Sequence, residues 1–260
     1  MSQSFIGEDH TGRDFSETNL SNVNSAGINL SHANLSHADL NFAGKDFRGQ
    51  DFSNTNLNGV NFSNANLSNA NLNKTHLINA DLSNANLAGA NLSHANLTKA
   101  NLSNANLVGA LLIEAILDGT DLCNADISHA NLSRACFSKA DLCGVKFIDA
   151  NLTEAKFRTV TLVGADFHQA ILIGAEIRDE SILDDAKLGN ANLHRAMFAH
   201  VSMSGADLFG ADLSGATFQE VNLYDANFGG IKGKDAEFTD VRGLSQTIKQ
   251  ELILNGALIR

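Results

Sequence analysis

Large apolar residues recur in this chain at every fifth position. From Phe47 through Leu67, Leu72 and Leu77 to Ile182, 28 consecutive units keep that spacing. An earlier block runs from Phe15 to Leu40 in six units, with Ser25 as its one polar centre. A later block runs from Leu188 to Phe238 in eleven units, with Gly233 as its exception. Of these 45 centres, 43 are Leu, Ile, Phe or Met, and 12 of the 15 Phe residues are among them, which marks the centres as the core. The residue two before each centre is mostly Ala, Thr or Val; Lys45, Gln50 and Glu180 depart from this in the 28-unit block. The other three positions are mostly Asn, Asp, Ser, Gly, Lys or His.

A five-residue period suits neither regular element. On an α-helix it turns through about 500°, so the Leu residues would spiral round the surface. On a strand an odd period sends successive Leu residues to opposite faces. A constant interior therefore needs a bend in every unit. A large and a small residue, two apart, point inward together, and the rest supply turn chemistry. Stacked units of this kind predict a solenoid.

Units such as Ala65-Asn66-Leu67-Ser68-Asn69 and Ala70-Asn71-Leu72-Asn73-Lys74 carry an A-(D/N)-L-x-x signature. The chain resembles the pentapeptide-repeat family over about residues 13 to 240. The resemblance implies an all-β fold, a right-handed quadrilateral parallel β-helix of about 11 coils, with four pentapeptides per coil. It also implies a family in which end-to-end association is common and many members are bacterial. Residues 1–12 are read as an N-terminal segment or cap and residues 13–243 as the β-helix. Residues 244–260 are read as a capping helix, with Ser245 as N-cap, Gly256 after the C-cap, and Leu244, Ile248, Leu252 and Ile253 at helical spacing. Two phase slips predict small loops at 41–46, with Phe42 in the bulge, and at 183–187.

Composition narrows the chemistry. The 260 residues hold no Pro, no Trp and one Tyr, with 18% charged residues and a formal net charge of −11. No apolar run approaches the roughly 18 residues of a membrane span. Met1 to Gly12 lacks the layout of a signal peptide, so a cytoplasmic location is expected. Net negative charge argues against direct nucleic-acid binding. A core filled by Leu, Phe and Ala leaves no space for a substrate, and no catalytic motif occurs, so no enzyme, catalytic residue or cofactor is expected. Asp81, Asp121, Asp126 and Asp141 precede centres, where Asn is commoner, and are assigned to turns. Cys123 and Cys143 stand 20 apart and should stack on adjacent coils; they are read as free thiols, and no metal site is expected. An Asn column at Asn64, Asn84, Asn104 and Asn124 reads as a stabilising ladder ending at Gly144.

Outward apolar residues are the most suggestive feature. Val108, Leu111, Ile113 and Ile116, with Ile171 and Ile173, form a candidate partner patch. Asp207, Asp212, Glu220 and Asp225 form a candidate acidic patch in a stretch without a basic residue. The preferred reading is a non-enzymatic scaffold for a partner protein, with homodimerisation through the C-terminal end. The resemblance offers one alternative, a DNA mimic that binds and inhibits or protects DNA gyrase. The five bases Arg134, Lys139, Lys146, Lys156 and Arg158 weaken it, because a mimic needs negative charge along much of its length.

Overall fold

A computed structural model describes residues 8–15, 30–35 and 41–260. The chain forms a four-sided parallel β-solenoid in which equivalent residues pair one coil apart, as Asn61 with Asp81 and Asp81 with Asn101. On one side the ladder passes from Asp14 through Asn34, Asn56, His76, Asn96 and Ile116 into a seven-stranded sheet. Its strands are β1 (Cys136–Ser138), β2 (Lys156–Arg158), β3 (Glu176–Arg178), β4 (Met197–Ala199), β5 (Thr217–Gln219), β6 (Glu237–Thr239) and β7 (Leu258–Ile259), paired in chain order. Repeat counting predicts about 11 coils; the seven regular strands bound six turns, and single bridges carry the same side back to Asp14. The other rungs are single bridges.

The local chemistry explains the repeat. The residue before each centre pairs through its backbone, and its side-chain oxygen accepts a hydrogen bond from the N–H two residues on. Ser68 donates to Asn66 at 3.2 Å and Ser83 to Asp81 at 3.0 Å. This Asx turn is why Asn and Asp dominate that position. The second residue after the centre then takes a left-handed backbone, as Asn69 does at φ 57°, and Ala70 N–H closes the bend on the Leu67 carbonyl at 3.0 Å. Positive φ at the third residue of a turn is the demand that type II turns make, and Asn and Gly meet it at least cost.

Centres and small residues fill the interior. Leu67, Leu142 and Phe157 have no exposed surface, and each such side chain contributes about 1.5–3 kcal/mol by burial. Phe residues one coil apart stack, Phe137 on Phe157 at 4.7 Å and Phe218 on Phe238 at 4.6 Å. Thr55, Thr75 and Thr120 stand in for Ala without orphaning a hydroxyl, since they donate to the carbonyls of Leu30, Phe52 and Leu117 at 2.7, 2.9 and 2.7 Å. At Gly233 the two sizes are exchanged: Ile231 is buried in the small-residue slot, and a Cβ on Gly233 would lie 3.2 Å from its Cδ1.

Both predicted loops are displaced. Residues 41–46 are regular: Asn41 pairs with Asn61, and Phe42 is buried and stacked on Phe62 at 5.2 Å, not bulged. Phe42 is therefore a centre, seven residues after the buried Leu35. The extra residues of that slip, and the predicted centre Leu40, lie outside the described residues. The second slip lies before 183–187. Leu183 is buried and Ile182 is 39% exposed, so Leu183 is the centre and Ser181 fills the small slot. The added residue sits at the corner, where Asp179 and Glu180 both have positive φ, at 60° and 63°. The misreading follows from two adjacent apolar residues, either of which fits as a centre. At the other end His10 is buried five residues before Phe15, so the pattern continues one unit into the segment assigned to the N-terminal cap.

At the C-terminus α1 (Gln246–Leu254) starts at Ser245, whose hydroxyl accepts from Ile248 N–H at 3.2 Å. Leu252 is buried, and Leu244 and Ile248 pack against the core, but Ile253 points outward at 56% exposure. The helix is not the last element. Ala257 is buried, and β7 returns to the sheet, with Leu258 beside Glu237 and Ile259 beside Phe238.

Candidate interaction surfaces and a thiol cluster

With the interior filled, any site must lie on the walls. The recesses there are shallow grooves, one lined by His200, Ser202, Glu220, Asn222, Asp240 and Arg242. Among the described residues these grooves are open to solvent, and no catalytic residue was assigned from the sequence.

Leu111 and Ile116 occupy the position before a centre, on two adjoining sides of one coil, with 41% and 40% exposure. At that position Asn or Asp normally anchors the turn, and neither Leu nor Ile can accept that bond. Ile113 lies between them, half-buried, and Val108 is half-buried on the preceding side. Ile171 is 38% exposed on the same side as Leu111 but three rungs away, through Asn131 and Asn151. Ile173 is half-buried beside it. The structure thus splits the six-residue patch into a group at Leu111, Ile113 and Ile116, flanked by Val108, and a second group at Ile171 and Ile173. Met197, 42% exposed on the Ile116 side, and Phe209 and Tyr224, 55% and 56% exposed, were not picked out from the sequence.

Asp207, Asp212, Glu220 and Asp225 belong to four successive units, so they are spread round one coil and not gathered on one side. Several are also engaged. Asp212 lies 3.8 Å from Lys232, Glu220 lies 3.3 Å from His200, and Asp207 accepts from the Asn227 amide at 2.9 Å. Burial raises the Asp212 carboxyl, but the Ser214 hydrogen bonds and Lys232 outweigh it, and the net shift is downward. The acids that share a corner are Asp179, Glu180, Glu220 and Asp240, with His200 among them. Their spacing of 20 or 21 was the signal available in the sequence. The Asn column has a backbone role: Asn64, Asn84, Asn104 and Asn124 all hold left-handed turns at φ 56–58°. Amide ladders form instead between residues that precede centres, as Asn86 to Asn66 and Asn106 to Asn86, both at 3.3 Å.

All three cysteines are free and half-buried. Cys123 and Cys143 are neighbours in the stack, because Asn124 N–H donates to the Cys143 carbonyl at 2.9 Å. Asp121 and Asp141 pair directly beneath them in the same two coils. Donor atoms of Cys123, Asp141 and Cys143 all lie within 4.8 Å of one another. Burial first, then the Asp141 carboxylate, pushes the Cys123 thiol up to about 12 and raises Cys143 as well. Asp141 is lowered, since hydrogen bonds from both cysteines outweigh its own burial. The spacing of 20 brought Cys123 and Cys143 together in the sequence; Asp141, assigned there to its turn, was not counted with them.

No helix among the described residues is long and apolar enough to cross a membrane. The profile of pentapeptide repeats matches the chain in 8 copies, over residues 14–43, 41–69, 65–104, 75–112, 105–144, 150–179, 183–215 and 211–242. No curated protein matches. Among solved structures, HetL, a pentapeptide repeat protein involved in heterocyst differentiation regulation from the cyanobacterium Nostoc sp. strain PCC 7120, is 33% identical, covering 80% of this chain and 88% of its own, with a TM-score of 0.36. A pentapeptide repeat protein from the Arabidopsis thaliana thylakoid lumen is 39% identical over 37% of this chain and 63% of its own, with a TM-score of 0.24. QnrB1, a plasmid-mediated fluoroquinolone resistance protein, is 20% identical over 84% of this chain and 96% of its own, with a TM-score of 0.35. The eight matched segments and the turn chemistry that explains them carry the assignment: the chain belongs to the pentapeptide repeat family.

Proposed function

We propose that this chain is a non-enzymatic scaffold whose outer wall docks a partner protein. One observation carries the reading. At Leu111 and Ile116 the Asx anchor of the turn is given up on two adjoining sides of one coil, and two large apolar side chains stand exposed in its place. Loss of a turn bond costs about 0.5–1.5 kcal/mol, and exposed aliphatic surface returns nothing to the isolated fold. A partner that covers them recovers that cost by burial. The gyrase-mimic reading finds less support in the geometry, because the acids named for it surround one coil and Asp126 and Asp212 are paired with Lys146 and Lys232 at 3.6 and 3.8 Å. Association of two copies through the C-terminal end is part of the proposal, since Ile253, Leu254 and Leu258 there are 56%, 88% and 47% exposed.

The test is the double variant Leu111→Asp with Ile116→Asp. It should keep the circular dichroism and melting profile of the parent and lose a partner that the parent retains in a pull-down. An unchanged set of bound proteins would remove this wall from the proposal. Inhibition of gyrase supercoiling by the parent, abolished by charge reversal at Asp207, Asp212, Glu220 and Asp225, would replace the scaffold reading with the mimic.

A further inference from the structure

The walls carry one cluster that neither the turn chemistry nor the scaffold reading uses in full. Asp121-Leu122-Cys123 and Asp141-Leu142-Cys143 are the same tripeptide, one coil apart. Backbone pairing of Asp121 with Asp141 fixes their stacking, at the rung spacing of about 4.8 Å. The turn fixes each acid further. Cys123 N–H donates to Asp121 Oδ1 at 2.9 Å, and Cys143 N–H donates to Asp141 Oδ1 at 3.2 Å. One oxygen of each carboxylate is thus held by the main chain, and Asp141 brings a carboxylate oxygen to within 4.8 Å of both sulfurs.

Three properties then coincide. Two sulfurs and a carboxylate oxygen lie within 4.8 Å of one another, close to the separations of donors around a tetrahedral zinc ion, about 3.4–3.8 Å for metal–sulfur bonds near 2.3 Å. The group sits on a rigid stack, so its donors are held in place before any ligand arrives. Like charges are stacked here without a basic partner. Lys146 serves Asp126 on the next side at 3.6 Å, but among the described residues no Lys, Arg or His forms an ion pair with Asp121 or Asp141.

We propose that Cys123, Cys143 and Asp141 bind a thiophilic divalent cation of the zinc class, with Asp121 or water completing four-fold coordination. Thiolate donors select such ions over magnesium or calcium, and the carboxylate keeps the site divalent in preference. Binding forms two metal–sulfur bonds and breaks two S–H bonds, so two protons pass to the buffer for each ion bound. The bound ion ties two successive coils together through side chains, on a wall otherwise joined there by backbone bonds. Cys136 belongs to the adjoining side, where it pairs with Ile116 and Lys156, and takes no part.

The experiment uses the full-length chain, reduced and stripped of metal, titrated with Co2+ and then with Zn2+. The expected result is one equivalent of Co2+ with thiolate charge-transfer absorption and tetrahedral d–d bands, both removed by Zn2+. Calorimetry in buffers of different ionisation enthalpy should count two released protons. Cys143→Ser should abolish the charge-transfer signal, Asp141→Asn should weaken Zn2+ binding at least about tenfold, and Cys136→Ser should leave it unchanged. Circular dichroism of each variant checks that the stack is intact. Absence of a thiolate–cobalt band, or Zn2+ binding that survives Cys143→Ser, would overturn the proposal. So would a native thiol titration that finds one thiol instead of three in the freshly purified chain, since the pair would then be a disulfide.

Discussion

At the residue scale, five positions divide the work of one turn. The small residue lets the chain pass close to the interior, the Asx residue anchors the turn, the Leu fills the core, and the fourth and fifth reverse the direction. The fifth is the strained one. Lys74, Glu114 and Arg134 hold positive φ there, at 56–59°, where only Gly and Asn are at ease. Thr159 is the most costly occupant, since a β-branched side chain in that region, at φ 53°, is a rarity. Thr159→Asn should therefore stabilise the chain by about 0.5–1 kcal/mol, read as a higher urea midpoint, and Asn69→Thr should destabilise it by a similar amount. A lower midpoint for Thr159→Asn would show that the corner gains more from the threonine than its backbone loses.

At the scale of the element, register matters more than identity. Every apolar centre from Phe47 to Ile177 was legible as core because the period never varies, and burial follows it residue by residue. The slips were legible as lengths and illegible as places. The pair Ile182-Leu183 offers two centres, and only the pairing of Ile182 with Thr161 and Ser202 decides between them. The site of the insertion has a consequence for engineering. Deleting Glu180 restores a 20-residue coil at the corner and should leave the fold and melting temperature nearly unchanged. Deleting Asp184 inside the supposed loop should unfold the coil, because it shifts Leu188 and all later centres against their neighbours and removes the acceptor for Ser202 and Ser204, at 2.6 and 2.9 Å. Equal effects of the two deletions on thermal unfolding would contradict this placement.

At the scale of the whole molecule, a solenoid is only as secure as its ends. The last coil would present Phe238 and an open β6 edge. Instead α1 lays Leu252 over the core and β7 adds one more rung. An exposed edge of this kind is a template for association. Removing residues 244–260 should leave the central coils folded but convert the protein to large aggregates in sedimentation velocity. A truncated chain that stays monodisperse would mean that the remaining coils protect their own edge. The family name was within reach of the sequence because hundreds of residues repeat one motif. The candidate surfaces were not, because a repeat makes four walls look alike. Leu111 and Ile116 could be named as outward, but that they adjoin across one corner, that Ile171 lies three rungs off, and that the four named acids encircle a coil needed the coil itself.

What the sequence by itself determined is local. A five-residue period with Asn or Asp before each Leu encodes a bend, an inward pair and a stack, because those preferences are satisfied within one unit and its neighbour. What only the tertiary structure decided is where the inserted residues sit, and so which residues beyond them share a wall. The single added residue at the Asp179–Glu180 corner resets that correspondence for everything after it, and the meeting of Asp141 with Cys123 and Cys143 exists only once one coil lies on the next.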